Sequence, residues 1–152
     1  MKRFFACICL FFAAVMILTA CSPRFNAAVY EDVHIDESLG FESRAFLLKN
    51  TGDVEAHIES HETDEFSKPY YGDLKKYDSK FFEENSLAVV YYYDSTTSAK
   101  ISVKGIQYSG DTVTVILSRK APKIVTDAVR ECVIFVEIPK GEKITSADLK
   151  VS

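Results

Sequence analysis

Hydrophobic side chains occupy every second position in several short segments of this chain. A period of two places successive side chains on opposite faces of a β-strand, so these segments are predicted strands. The last segment is a long apolar run, which predicts a strand at the centre of a sheet. The six predicted strands cover residues 29–35, 41–48, 87–93, 100–108, 113–117 and 129–138.

Two glycines add detail to this pattern. The hydrophobic positions of the fourth segment change parity at Gly105, with Ile101 on one parity and Ile106 on the other. A change of parity within a strand is typical of a β-bulge, which inserts one extra residue. Residues 109–111 then read Ser-Gly-Asp, a turn sequence that predicts a hairpin between the fourth and fifth strands.

Short helices are predicted where the period of two is absent. The polar cluster at residues 50–53 precedes a helix over residues 54–60. Asp78 is a suitable N-cap for a second helix that runs to Asn85. Residues 59–76 are polar and are predicted to be mostly irregular.

The last predicted element lies near the C terminus. Thr145 and Asp148 are three positions apart, a spacing that favours capping of one final helical turn. Together these elements predict an α+β fold dominated by strands. We expect one antiparallel sheet of about six strands with one or two short helices.

The N-terminal residues have the layout of an export signal. A positively charged start and an apolar run of about fifteen residues lead to Leu18, Thr19, Ala20 and Cys21. Bacterial lipoprotein signal peptidase recognises such a segment, in which small residues come directly before the cysteine, and cleaves before the lipidated cysteine. We therefore expect Leu18, Thr19 and Ala20 to be the recognition residues and Cys21 to carry a diacylglycerol.

The apolar run is shorter than the roughly 20 residues that a helix needs to span a bilayer. An uncleaved membrane anchor and a signal cut without lipidation are the two alternatives. The predicted organisation is a signal peptide at 1–20, the lipidated cysteine and a tether at 21–28, and one β-rich domain at 29–152. Lipid on Cys21 would hold the protein at the extracytoplasmic face of a bacterial membrane.

The net charge and the number of cysteines limit the functions that can be expected of this chain. Loss of residues 1–20 removes two basic side chains and no acid, so the formal net charge changes from −4 to −6. This acidic balance disfavours binding to nucleic acid. With Cys21 consumed by lipid, Cys132 is the only remaining thiol. Its place in an apolar, alternating run predicts a buried thiol, and a reactive thiol is the alternative.

Few residues suggest catalysis. His57 and His61 are four positions apart and would share a helix face, as a zinc site requires, but their order is not that of a metalloprotease motif. A solvated helix end is the simpler interpretation. The chain has no Gly-x-Ser-x-Gly nucleophile motif. We therefore expect no catalytic residue, no metal and no cofactor. A hydrolase or metalloenzyme is the third hypothesis, after the two binding functions described at the end of this section.

Tyr91, Tyr92 and Tyr93 are the most unusual feature outside the N terminus. Consecutive tyrosines in a strand place rings on both faces of the sheet, so Tyr92 should point away from the other two. One interpretation is packing at the edge of the core. The other is a face that binds a partner or stacks on a ligand, because tyrosine suits surfaces that are apolar on one side and wet on the other.

Residues 77–87 read YDSKFFEENSL, which resembles the YD-x-x-FF-x-x-N-x-L motif of the PrcB-like C-terminal domain family. Residues 101–106, 113–122 and 126–140 are similar to later strands of that domain, so the resemblance covers about residues 45–140. The family takes its name from a lipoprotein subunit of a surface protease complex. The resemblance implies a small β-rich domain in a lipoprotein and brings no established catalytic residues.

The expected function follows from these features together. The leading hypothesis is a lipid-anchored, non-enzymatic module that binds another protein at the cell surface, such as an extracellular protease that it assists. The alternative is a lipoprotein that binds a small molecule or a polymer of the cell envelope.

Overall fold

The computed structural model describes residues 25–31, 42–61, 69–96, 98–123, 127–141 and 143–152. These residues form three layers, in which short helices cover one face of a four-stranded sheet and a three-stranded sheet covers the other. The architecture confirms the predicted strand-dominated α+β fold. It differs from the prediction in having two sheets instead of one.

The described residues contain seven strands and three helices. The strands are β1 (Asn26–Glu31), β2 (Arg44–Leu48), β3 (Asn85–Thr96), β4 (Lys100–Ser109), β5 (Thr112–Lys120), β6 (Asp127–Pro139) and β7 (Ser146–Val151). The helices are α1 (Thr51–His61), α2 (Pro69–Leu74) and α3 (Ser79–Glu84). None of these three helices is long and apolar enough to cross a lipid bilayer.

The first sheet has the strand order β1-β6-β3-β2, and all its neighbouring pairs are antiparallel. The second sheet has the order β4-β5-β7, in which β4 and β5 are antiparallel and β5 and β7 are parallel. The edges of the two sheets approach each other, since β2 contacts β7 and β1 contacts β4. The two sheets therefore enclose a common core.

Strands β3 and β6 lie in the middle of the first sheet, because both of their faces are apolar and need to be covered. In β3, Ala88 and Val90 pack toward the second sheet, whereas Leu87 and Val89 pack toward the helices, and all four are fully buried. The predicted central position of the sixth sequence segment is confirmed, since β6 lies between β1 and β3. Burial on both faces gives these strands the largest share of the hydrophobic stabilisation.

The glycine predictions for the second sheet are confirmed. The register between β4 and β5 shifts between Val103 and Gly105, which is the expected bulge. Gly110 lies in the turn that follows and has a φ of 62°, a left-handed conformation that glycine adopts without steric cost.

The three helices cover the outer face of the first sheet with a layer rich in aromatic rings. Helix α2 lies inside the stretch for which the sequence predicts irregular structure, and it brings Tyr70 and Tyr71 onto the sheet. The Tyr70 ring lies 6.4 Å from the Phe135 ring of β6. Aromatic contacts of this kind stabilise the layer beyond the burial of area alone.

The prediction for the C-terminal element is wrong. Residues 146–151 form β7 instead of a helical turn, and they pair in parallel with β5 from Thr112 to Leu117. Thr145 does not cap a helix, because its hydroxyl donates to the Asp111 carboxylate at 2.8 Å and its amide donates to the Asp111 carbonyl at 2.7 Å. These bonds direct the chain along the open edge of β5.

The N-cap of α3 is as predicted. The Asp78 carboxylate accepts a hydrogen bond from the Phe81 amide at 2.9 Å, and this amide is one of those that a helix leaves without a partner. Phe82 is the buried residue of α3 and packs in the apolar cluster on the outer face of the first sheet. The cap and the buried ring together define where this short helix begins and which face it buries.

Asp78→Ala should lower the free energy of unfolding by about 1 kcal/mol, because the Phe81 amide loses its acceptor. Asp78→Ser is the matched control, since its hydroxyl also accepts from this amide, and it should retain most of the stability. Urea unfolding measures both variants. Equal stability of Asp78→Ala and the parent chain would contradict a stabilising role for the cap.

Candidate functional site

Cys21, the predicted lipidation site, lies outside the described residues. So do the predicted recognition residues Leu18, Thr19 and Ala20. Strand β1 begins at Asn26, three residues earlier than the predicted start of the domain. Only four residues therefore separate Cys21 from Asn26. Fully extended, such a link reaches roughly 17 Å from one Cα to the other.

The three consecutive tyrosines do not form a surface. Tyr91 is 1% exposed and packs toward the helices, whereas Tyr92 is 6% exposed and packs between the sheets. Their opposite directions are as predicted. Because the rings of Tyr91 and Tyr92 are both buried, these residues pack in the core. They do not form the exposed partner face that was the other interpretation. Tyr93 is half-buried beside the helical layer.

His57 also belongs to the core. Its Nε2 atom lies 2.8 Å from the Tyr91 hydroxyl, and its ring stacks on the Tyr91 ring and meets the Phe46 ring edge-on. The solvated helix end favoured by the sequence is wrong for His57, which is 6% exposed. The side chain of His61 lies outside the described residues, so a shared zinc site of the two histidines stays a hypothesis. No group of three or more His, Cys, Asp or Glu side chains suited to a metal ion occurs in the described parts of the chain.

Cys132 is completely buried between the two sheets. Its neighbours in β6 on the same face are Ile134 and Val136, which are also fully buried. This environment matches the predicted core thiol. A thiol without solvent contact is poorly placed for attack on an external group.

Among the described residues, a groove lies beside helix α1. We name it the α1 groove, and its volume is about 500 Å³. One wall is the side of α1, and the other is the segment that joins α2 to α3. From α1 it is lined by Thr51, Val54, Glu55, Ile58 and Glu59. From the joining segment it is lined by Lys75, Tyr77 and Asp78.

The α1 groove has an apolar floor and a charged rim. Val54 and Ile58 are 4% and 5% exposed, so they form the floor, and the half-buried ring of Tyr77 adds to it. Glu55 and Glu59 are exposed one turn apart on α1. With Asp78 on the far side, the described residues of the rim have three carboxylates, and Lys75 is the single cation among them.

A second hollow adjoins the α1 groove at Tyr77. We name it the Tyr30 hollow, and its volume is about 370 Å³. The Tyr30 hydroxyl donates to the Asp73 carboxylate at 2.9 Å, and the Lys76 ammonium also contacts this carboxylate. The Tyr77 hydroxyl points to Glu137 at 3.4 Å. Phenols and carboxylates therefore alternate along this part of the surface.

The tyrosines of this hollow stay protonated in the physiological range. Burial and the bond to Asp73 raise the pKa of Tyr30 to about 12. Burial and the negative charge of Glu137 raise the pKa of Tyr77 as well. Hydrogen bonds from Lys76 and Tyr30 lower the pKa of Asp73. Both phenols are thus neutral hydrogen-bonding groups, and neither is prepared to act as a base.

A third hollow continues from Glu137 toward the start of β1. It has a volume of about 270 Å³ and is lined by Phe25, Asn26, Asn85, Glu137 and Pro139. The side-chain Nδ2 of Asn26 donates a hydrogen bond to the Glu137 carboxylate at 2.7 Å. Tyr77 lines both the α1 groove and the Tyr30 hollow, and Glu137 lines both the Tyr30 hollow and the third hollow. The three depressions therefore follow one another from α1 to the residues next to the predicted anchor.

A charged pair lies at the other end of β3. Arg119 of β5 donates two hydrogen bonds to the Asp94 carboxylate, from Nε at 2.7 Å and from Nη2 at 2.8 Å. The Asp94 side chain is completely buried, and the Thr96 amide donates to it at 2.9 Å. Burial alone would raise the pKa of Asp94, but the bonds from Arg119 and Thr96 outweigh it and lower the pKa. The pair joins the two sheets.

The α1 groove is not predicted from the sequence. The spacing of Val54 and Ile58 indicates a buried stripe on α1, and Glu55 and Glu59 repeat beside it at the same interval. This pattern alone is typical of any surface helix. What makes it a groove is the second wall around Tyr77, which comes from a different segment and requires the tertiary structure.

Comparison of the chain with protein-family models, with curated proteins and with solved structures gave no match. The resemblance of residues 45–140 to the PrcB-like C-terminal domain family stays a prediction. The guides to function are therefore the N-terminal motif and the geometry of the surface.

Proposed function

We propose that this protein is a lipoprotein, anchored through Cys21 to the extracytoplasmic face of a bacterial membrane, where its domain binds another protein without catalysing a reaction. The observation that carries the proposal is the sequence Leu18-Thr19-Ala20-Cys21 at the end of a charged and then apolar N-terminal segment. Two or more acyl chains on one cysteine give stable membrane anchoring, whereas a single chain binds only marginally and reversibly.

The position of β1 supports a membrane-adjacent role. Because Asn26 follows Cys21 so closely, the end of the first sheet that contains Asn26 lies near the lipid surface. The third hollow, with Phe25 and Asn26 in its lining, shares that position. A partner that contacts this side of the domain would itself be near or in the membrane.

The surface chemistry supports binding. The α1 groove combines apolar area with exposed charge, as the contact surfaces of transient complexes do. The resemblance to a lipoprotein subunit of a surface protease complex agrees with a protein partner and favours an extracellular protease.

A second candidate function is binding of a hydroxyl-rich polymer of the cell envelope. It is favoured by the Tyr30 hollow, in which Tyr30, Tyr77, Asp73 and Glu137 offer phenols and carboxylates in a row. Such groups suit sugar hydroxyls, which both donate and accept hydrogen bonds. We rank it second because both phenols already make hydrogen bonds to carboxylates.

Cross-linking in native cells, followed by purification of the tagged protein from membranes, tests the proposed function. We expect one exported protein to be recovered in stoichiometric amount. A tagged lipoprotein with an unrelated domain is the control and should not recover it. Absence of any stoichiometric protein would contradict the binding role, and its replacement by envelope polymer would favour the second candidate.

A further inference from the structure

We propose that the α1 groove binds a segment of the partner protein in which lysine or arginine alternates with aliphatic residues. This inference rests on the proposed function and specifies the chemistry of the partner. The groove has a volume of about 500 Å³, which lies within the range of roughly 300–1,000 Å³ typical of binding sites. It therefore has room for more than one side chain.

The arrangement of floor and rim decides which side chains fit. The floor is apolar, with Val54 and Ile58 almost completely buried and Tyr77 beside them. A lysine or arginine side chain has an apolar stem and a charged head, and it buries the stem along apolar surface while the head stays in water. The stem would lie on this floor, and the head would reach the carboxylates of the rim.

The charges of the rim select a cationic occupant. Glu55 and Glu59 project from α1 one turn apart, and Asp78 faces them across the groove. Lys75 leaves the rim with an excess of two negative charges. Complementary charge guides the approach of a partner and determines its register more than it raises the final affinity.

The charge of the rim also argues against occupants from this chain itself. Residues 62–68, which follow α1, contain three acidic side chains and one lysine, so their charge does not complement the rim. A second copy of the protein is also acidic, with a formal net charge of −6 once residues 1–20 are removed. Like charges in close contact across an interface are unfavourable.

The test measures binding of synthetic peptides to the purified full-length protein in detergent, by fluorescence anisotropy. The probe is a short peptide of alternating lysine and leucine, and two reference peptides replace either every lysine by glutamate or every leucine by serine. We expect the lysine–leucine peptide to bind about tenfold more tightly than either reference. Its affinity should fall at about 0.3 M salt, because exposed charges are then screened.

Glu55→Gln/Glu59→Gln is the groove variant, and its control is Glu83→Gln/Glu84→Gln on α3. Both pairs are exposed, and both variants lose two negative charges, so a general effect of net charge would change them equally. We expect the groove variant to bind the lysine–leucine peptide about fivefold to tenfold more weakly and the control to bind it normally. Because all four side chains are exposed, both variants should melt like the parent chain.

Equal loss of affinity in the two variants, or no preference among the three peptides, would overturn the inference. The cross-linking experiment separates this failure from that of the proposed function. If the groove variant recovers as much of the partner as the parent chain does, the partner binds elsewhere and the groove inference is wrong while the binding role stands. If no partner is recovered from the parent chain, the binding role itself is wrong.

Discussion

Arg119→Met should lower the free energy of unfolding by about 3–5 kcal/mol, the loss expected when one partner of a buried ion pair is removed. The variant leaves the carboxylate of Asp94 buried without its cation, since the Asp94 side chain is completely inaccessible to solvent. The pair also joins β3 of the first sheet to β5 of the second, so the two sheets lose a direct connection. Chemical denaturation at neutral pH gives the measurement.

The double variant Asp94→Asn/Arg119→Met is the control. It removes both charges, and the oxygen of the introduced side-chain amide still accepts from the Thr96 amide, so much of the lost stability should return. Two results would contradict a stabilising role for this buried ion pair. One is a loss of free energy of unfolding below about 1 kcal/mol for Arg119→Met, and the other is a double variant as unstable as the single one.

The same pair gives a pH dependence. The pKa of Asp94 is lower in the folded state than in the unfolded state, so the ionised carboxylate stabilises the folded chain. This stabilisation is complete above the unfolded pKa of about 4 and is lost as the pH falls through the pKa of the folded state. In Arg119→Met the hydrogen bonds from Thr96 are left to oppose the effect of burial without the cation, so the pKa of Asp94 rises and its protonation becomes easier. The difference in stability between the parent chain and the variant should therefore shrink as the pH falls, first through the higher pKa of Asp94 in the variant and then through its lowered pKa in the parent chain, below about 4.

Cys21→Ala is expected to abolish lipid attachment, so the mature membrane-bound form of the protein disappears. Only an unprocessed or released protein should remain, because the lipid that holds the chain has no sulfur to which it can be joined. Each buried methylene contributes about 0.8 kcal/mol to membrane binding, and loss of two or more chains removes nearly all of it. Membrane fractionation and incorporation of labelled palmitate measure the effect.

Cys132→Ala is the matched control for that experiment. It changes the other cysteine of the expected mature chain, and the buried position of Cys132 between the sheets excludes it as a site for lipid. Normal labelling of Cys132→Ala together with loss of label in Cys21→Ala would support the anchor. Normal processing and normal membrane retention of Cys21→Ala would refute it.

Local patterns predict most of the strands and their faces. Alternation along residues 87–93 correctly places Tyr92 opposite Tyr91, and the parity change at Gly105 locates the bulge in β4. These features depend on neighbouring residues, so the sequence contains them. The N-cap of α3 at Asp78 is local in the same sense.

The sequence does not predict features that depend on distant segments. Thr145 and Asp148 have the spacing of a helix cap, but the open edge of β5 provides backbone hydrogen bonds that favour a strand there. The tyrosine pattern does not reveal that a second sheet and a helical layer bury Tyr91 and Tyr92 from both sides. The α1 groove likewise needs two segments to meet, so neither segment predicts it alone.

Mass spectrometry of the intact protein, purified from native membranes, tests the membrane anchor most directly. We expect a chain that begins at Cys21 and carries a diacylglycerol on its sulfur. A chain that retains Met1 and carries no fatty acid would contradict the account.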